Sequence, residues 1–219
     1  MDHLDQTAFA ILMGGTLTPT GRLTAMVAGR RTIAADGGMR HAAALGLTPE
    51  LWVGDFDSTP ADLLAAFPDV PRMPYPAAKN ETDGEIAIAE ALSRGARSIV
   101  MPGALGGERS DHAFMHLLLA VRLAEQGLDI TMTSGEEEAY PILTGRTSID
   151  LPEGALFSIL GLTALDGLSI AGARYPLDDF HLPFGSSRTI SNVAEGTVTI
   201  TLHAGRAVLL ARPQDFSGA

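Results

Sequence analysis

Between residues 8 and 133 the chain repeats one pattern, a short apolar run followed by a segment with apolar residues every three or four positions. The runs are AFAILM (8–13), TIAA (32–35), LWV (51–53), SIVM (98–101) and DITMT (129–133). Helical spacing occupies 39–45, 61–67, 85–94 and 112–126 between them. Strand alternating with helix predicts a doubly wound, mostly parallel α/β sheet covered on both faces. Ligands of such sheets sit at the carboxyl ends of the strands.

After residue 134 the pattern changes. SGEEEAYP (134–141) joins a charge run to a proline, and short alternating segments follow: ALFSIL, GLSIAG, TVTITL and AVLLA. At 197–202 threonines alternate with Val198, Ile200 and Leu202, the period of a half-buried antiparallel strand. His203 to Arg206 then reads as a hairpin turn. The expected organisation is an α/β domain over 1–135 and a smaller all-β domain over 140–219, with no repeats or low-complexity tracts.

At 219 residues and 46% hydrophobic content the chain can bury a proper core. Its net charge of −11 argues against a partner bound through a phosphate backbone, so nucleic acid is not expected. A smaller anion is compatible with that charge if a divalent cation stands between its phosphates and protein carboxylates. The absence of cysteine excludes disulfides, zinc thiolates and thiol nucleophiles. MDHLDQTAFAILMGG carries acids where a secretory signal carries bases, and no stretch reaches the roughly 20 apolar residues of a membrane span. The expectation is a cytoplasmic protein with no membrane partner.

Each chemically suggestive group in the first half follows an expected strand or opens the next helix. AADGG (34–38), GDFDS (54–58), KNETDGE (79–85) and GGERSDH (106–112) bring Asp36, Asp55, Asp57, Asp83 and Asp111 to one sheet edge. Turns and helix caps use the same residues, and Asp83 and Asp111 both fit as caps. Asp55 and Asp57 are harder to read so, because one cap needs one carboxylate and two adjacent like charges repel unless a cation neutralises them. The pair favours a metal clamp over turn chemistry.

Lys79 is the only lysine beside 14 arginines. It is either a compact point charge for a phosphate or a solvated surface residue, and Arg109 is open to the same two readings. The glycines of MGGT and ADGG, Gly37 and Gly38 among them, would let backbone N–H groups approach an anion. His112 and His116 lie one helical turn apart without a third ligand, so His112 reads as a site neighbour and His116 as a core or surface residue. With no GxSxG elbow, acyl transfer has no support.

In order and spacing, ADGG, GDFDS, K-x-x-TD-x-E and G-x-R-x-DH resemble the thiamin pyrophosphokinase (thiamine diphosphokinase) family. GLSIAGARYPL (167–177) and TISN (189–192) are similar to that family's substrate-domain signature. The resemblance implies an α/β nucleotide-binding catalytic domain over 1–135 followed by a thiamin-binding β-sandwich over 140–219, in a homodimer with active sites at the subunit interface that transfers pyrophosphate from ATP to the hydroxyl of thiamin to give thiamin diphosphate and AMP. It further implies that Asp55, Asp57 and Asp83 are catalytic and hold Mg2+. Asp36, Gly37, Gly38, Lys79, Thr82, Arg109, Asp111 and His112 would surround the nucleotide, and Ser191 and Asn192 would help to hold thiamin. Attack at phosphorus depends mainly on positioning and charge neutralisation, consistent with an acidic site loaded with Mg2+. No general base is assigned, Asp83 and Asp55 being the candidates.

Two positions depart from the family pattern: Asn80 stands where bacterial members commonly place an acid, and Glu108 intrudes between glycine and arginine. They motivate one rival reading, a thiamin- or nucleotide-binding regulator that has kept the fold and lost turnover. The other rival is a phosphatase, since DFDST fits a DxDxT nucleophile motif. That motif normally follows the first strand rather than the third, and no downstream acidic pair supports it.

Overall fold

The apolar runs become strands whose residues are buried in succession, as in a sheet with no solvent-facing side. The computed structural model describes residues 5–57, 59–76, 81–107 and 109–218. Its chain divides into two compact units, one of residues up to 113 with 128–135, the other of 114–127 with 136–219.

The first unit holds β1 (Asp5–Leu12), β2 (Arg30–Ala35), β3 (Leu51–Gly54), β4 (Arg72–Pro74), β5 (Ser98–Pro102) and β6 (Asp129–Thr133). Every pairing among them is parallel, in the order β6-β5-β1-β2-β3-β4. Helices α1 (Gly21–Val27), α2 (Ala61–Ala66), α3 (Asp83–Ser93) and α4 (Ser110–Glu125) accompany the strands, the last of these running from the first unit into residues assigned to the second. Trp52, Leu12, Leu23 and Met39 lie together in the core, each almost fully buried.

The expected helix at 39–45 is instead two short 3-10 pieces, Asp36–His41 and Ala43–Leu45. Two glycines explain the difference. A Cβ on Gly38 would lie 2.1 Å from the Leu12 carbonyl oxygen, so this turn is pressed onto the end of β1. Gly46, at φ +64, then ends the segment in the left-handed conformation.

The second unit is built on β7 (Glu138–Ile142), β8 (Gly145–Ile149), β9 (Leu156–Gly161), β10 (Leu165–Ala173), β11 (Leu177–Leu182), β12 (Asn192–Leu202) and β13 (Ala207–Arg212). All its pairings are antiparallel. β12 changes partners along its length: Asn192 and Val193 face β9, whereas residues 198–202 face β8. Phe157, Ile159, Leu168, Val198, Ile200 and Leu209 fill its interior. The expected hairpin at His203 to Arg206 is not formed, because β12 pairs with β8, β9 and β10 while β13 pairs with β7 and β9. Asp166 bridges to Ala204 and occupies the loop that a hairpin would have closed.

The strands are thus all parallel in the first unit and all antiparallel in the second, with few helices. Among the described residues, no helix is long and apolar enough to cross a membrane.

Candidate active site

The carboxyl ends of the parallel strands carry the acidic motifs. Asp36 follows β2, Asp55 and Asp57 follow β3, and the 103–109 loop follows β5. The loops after β1 and β5 meet at close quarters, since a Cβ on Gly15 would stand 2.4 Å from the Gly103 carbonyl oxygen. These glycines therefore pack backbone on backbone. The Gly15 N–H is already spent on the Gly103 carbonyl.

Trp52 holds this edge in shape. Fully buried on β3, it donates from Nε1 to the Asp36 carbonyl at 2.8 Å and meets the Phe56 ring edge-on at 5.2 Å. Both residues it braces are left-handed without being glycine, Asp36 at φ 43 and Phe56 at φ 61. Among the described residues only two other non-glycines share that conformation, Asp179 and Ser191. Three of the four lie in ADGG, GDFDS and TISN, and strain of this kind persists where surrounding contacts over-determine it. Trp52 and Phe56 were not among the residues expected from sequence, although a lone tryptophan between two acidic motifs was the available signal.

Asp36 is the point on which the charges converge. Half-burial raises its pKa, a hydrogen bond from the Gly37 backbone opposes the rise, and the charges of Asp83, Asp55 and Asp57 add to it. The Asp57 backbone N–H also donates to Asp55 Oδ1 at 3.2 Å, the local turn bond that an Asp at this position makes. Four carboxylates from three loops thus lie within electrostatic range. All-oxygen donors of this kind suit a hard divalent cation. Among the described residues, no three His, Asp or Glu side chains already stand as a metal-binding group, so the convergence is at charge–charge range and not at ligand range.

Helix α3 is capped by Thr82 rather than by Asp83. Thr82 Oγ1 accepts from the Glu85 N–H at 3.2 Å and Glu85 Oε2 accepts from the Thr82 N–H at 3.1 Å, a complete capping box. Asp83 is the first helical residue, with its carboxylate not needed for the cap. Arg109 and Asp111, both expected beside a nucleotide, grip each other as two parallel bonds of 2.9 and 2.7 Å. The guanidinium holds the Asp111 carboxyl well below the ordinary range. His112 is exposed in the first turn of α4. Arg40 and His41 hold the Gly14 and Gly15 carbonyls, and burial lowers the pKa of His41. Lys79, Asn80 and Glu108 lie outside the described residues.

In the second unit, Ser191 is exposed and its N–H donates to Ser158 Oγ at 3.0 Å. Asn192 is buried, its carboxamide bonded to the backbone of Tyr175 and Val193. The two units each carry one set of motifs, acidic in the first and, in TISN of the second, neutral polar.

Residues 26–132 match the family described as thiamin pyrophosphokinase, catalytic domain, and residues 146–206 match thiamin pyrophosphokinase, vitamin B1 binding domain. The chain belongs to the thiamin pyrophosphokinase family. Within that family, the thiamine pyrophosphokinase of Bacillus subtilis is 27% identical over 151 residues, which span 67% of this chain and 70% of the relative. The crystal structure of thiamin pyrophosphokinase from Geobacillus thermodenitrificans is 28% identical with a TM-score of 0.81, covering 97% of this chain and all of that one. The B. subtilis crystal structure, at 24% identity and a TM-score of 0.82 over 95% of this chain and 100% of that one, is alike in fold.

Proposed function

We propose that the protein is a thiamin pyrophosphokinase, transferring a pyrophosphoryl group from ATP to the hydroxyl of thiamin with release of AMP. The observation that carries this reading is the convergence of Asp55, Asp57 and Asp83 on Asp36 at the strand ends of a chain of this family. Like charges brought this near one another are a cost, and a Mg2+–triphosphate converts the cost into binding. Asp55, Asp57 and Asp83 would hold Mg2+, which supplies charge neutralisation on the phosphates.

Around the nucleotide the reading places Asp36, Gly37, Gly38, Lys79, Thr82, Arg109, Asp111 and His112. Thr82 keeps the N-terminus of α3 ordered, so that its first-turn amides and Asp83 present a fixed edge. Arg109 keeps guanidinium N–H groups beyond the two used on Asp111, and these can donate to phosphate oxygen. Ser191 and Asn192 belong to the thiamin side, on residues of the second unit. A cytoplasmic homodimer with active sites at its interface goes with this reading, and the exposed Phe114, Met115 and Leu118 of α4 are apolar surface that such an assembly would cover.

The test is AMP release from ATP and Mg2+ with and without thiamin, with the second product identified by mass. Thiamin-dependent AMP with thiamin diphosphate is the expected result. Thiamin binding without AMP would make the protein a regulator of the same fold, and phosphate release without AMP would return Asp55 to the nucleophile role of a DxDxT phosphatase.

A further inference from the structure

The loop that carries Asp55 and Asp57 leaves β3 under tight restraint. A Cβ on Gly54 would lie 3.5 Å from Asp36 Oδ1, and the Gly54 carbonyl accepts from the Tyr75 N–H at 3.0 Å. Phe56, left-handed at φ 61, has its ring set against Trp52. The Asp57 N–H turns back onto Asp55 Oδ1, and the Thr59 N–H reaches the Phe56 carbonyl at 3.4 Å, a long closing bond for a turn. Thr59 ends the loop, directly before Pro60 at the N-cap of α2.

A threonine ahead of a helix ordinarily accepts from the amides of the first turn, but α2 takes no side-chain hydrogen bond at its N-cap. The Thr59 Oγ1 is shut off from solvent, and among the described residues it is the one buried side-chain nitrogen or oxygen with no hydrogen-bond partner. A hydroxyl buried in this way destabilises the fold that contains it. Valine has nearly the same shape, suits the extended backbone that precedes a proline, and would carry no such penalty. The fold itself therefore gives no reason for a hydroxyl two residues beyond Asp57.

We infer that Thr59 is a positioning residue for Mg2+, its hydroxyl donating to a carboxylate of the Asp55–Asp57 pair when that pair holds the cation. The inference rests on the reading of these two acids as metal ligands. A carboxylate that grips a cation with one oxygen keeps acceptor capacity on the other, and a donor placed there fixes its orientation. Asp55 Oδ1 already accepts the Asp57 N–H, and the Thr59 hydroxyl supplies a second donor to the same pair. A hydroxyl satisfied only with the cation in place weakens the free protein and strengthens the loaded one, a trade of stability for activity.

The experiment sets the stability of the metal-free protein against its affinity for Mg2+ with α,β-methylene-ATP, whose α–β bridge cannot be cleaved. Melting is followed in EDTA and binding by calorimetry, on the full chain and on T59V, T59S and D57N. T59V is expected to melt about 2–4 °C above wild type in EDTA, because the unpartnered hydroxyl is gone. The same variant is expected to bind the Mg2+–nucleotide about ten- to a hundredfold more weakly. T59S keeps the hydroxyl and should restore most of that affinity. The opposite signs in T59V are decisive, since a residue that only packs would move stability and affinity together. Raised melting with wild-type affinity would leave the hydroxyl no part in holding the cation and would overturn the inference. Melting below wild type would overturn it too, because the hydroxyl would then be bonded in the free protein, and so would a loss of affinity as large in T59S as in T59V. A wild-type chain that binds no Mg2+–nucleotide, or a D57N chain that binds it unimpaired, would instead overturn the underlying reading of the acids.

Discussion

The acidic edge of the first unit and the TISN segment of the second are built on opposite electrostatic plans. At the acidic edge, Asp36 carries a carboxyl that burial and three like charges push away from ionisation. In TISN the buried polar side chains of Thr189 and Asn192 are hydrogen-bonded within the fold. One site is left electrically incomplete by the protein, and the other is finished by it. An incomplete site takes its ligand by relieving a penalty already present, whereas a finished site takes its ligand by offering a surface that does not have to reorganise. Both share left-handed non-glycine residues, Asp36 and Phe56 on one side and Ser191 on the other, so backbone strain is common to the two plans.

The largest effect that would test this contrast comes from removing one charge of the acidic edge. Asp57→Asn keeps the side-chain shape and is expected to cut Mg2+-dependent AMP formation by about 10²–10³-fold, with no loss of thermal stability. Wild-type turnover in that variant would break the first half of the comparison. Next in size is a purely steric probe of the same edge. Gly38→Ala places a Cβ 2.1 Å from the Leu12 carbonyl, which cannot yield without moving β1, and should destabilise the fold by about 3 kcal/mol in a denaturant titration. In the second unit Ser191→Gly releases the left-handed strain and should stabilise by about 1 kcal/mol while weakening thiamin binding. If Ser191→Gly changed neither quantity, strain would not be a feature of the thiamin side.

These effects divide along the line between what sequence pattern carries and what only the fold supplies. β1, β3 and β5 were legible because buried parallel strands are apolar on successive residues, and after β3 Asp55 stands out against such a run. β4 was not, since Arg72–Pro74 has three residues and no apolar run. α1 shows only Leu23 and Val27 to the core, too few to set a period. β7 was hidden by Glu138, a charged residue that is 1% exposed and accepts a hydrogen bond from the Tyr140 hydroxyl. The 3-10 turn after β2 escaped because its cause is the distance from Gly38 to β1, a contact between segments far apart in sequence. At the candidate site the acids were legible and their supports were not. Trp52 reads as core, and nothing in its neighbourhood in sequence says that its indole N–H reaches the Asp36 carbonyl. The double grip of Asn192 on Tyr175 spans 17 positions and is equally invisible without the β10–β12 register.

The smallest predicted effect isolates the electrostatic cost itself. Asp36→Asn tolerates the same left-handed backbone and keeps the carbonyl that Trp52 uses, so the substitution changes charge with little change of shape. Because the folded state raises the pKa of Asp36, it binds the proton more tightly than the unfolded chain does. The penalty is therefore present in full above the raised folded pKa, shrinks as pH falls, and is gone below the unfolded value near about 3.9. The Asp36→Asn protein should melt higher than wild type at pH 7, by on the order of 1–2 °C after allowance for solvent screening of a half-exposed group. The gap should close as pH is lowered toward 4, since effects of the remaining acids are common to both proteins and cancel in the difference. Adding Mg2+ at pH 7 should narrow it too, by stabilising wild type more than the variant. A gap that stayed constant with pH would mean that the repulsion among Asp36, Asp55, Asp57 and Asp83 is already relaxed by solvent, and the acidic edge would then be as finished without its ligand as the TISN segment is.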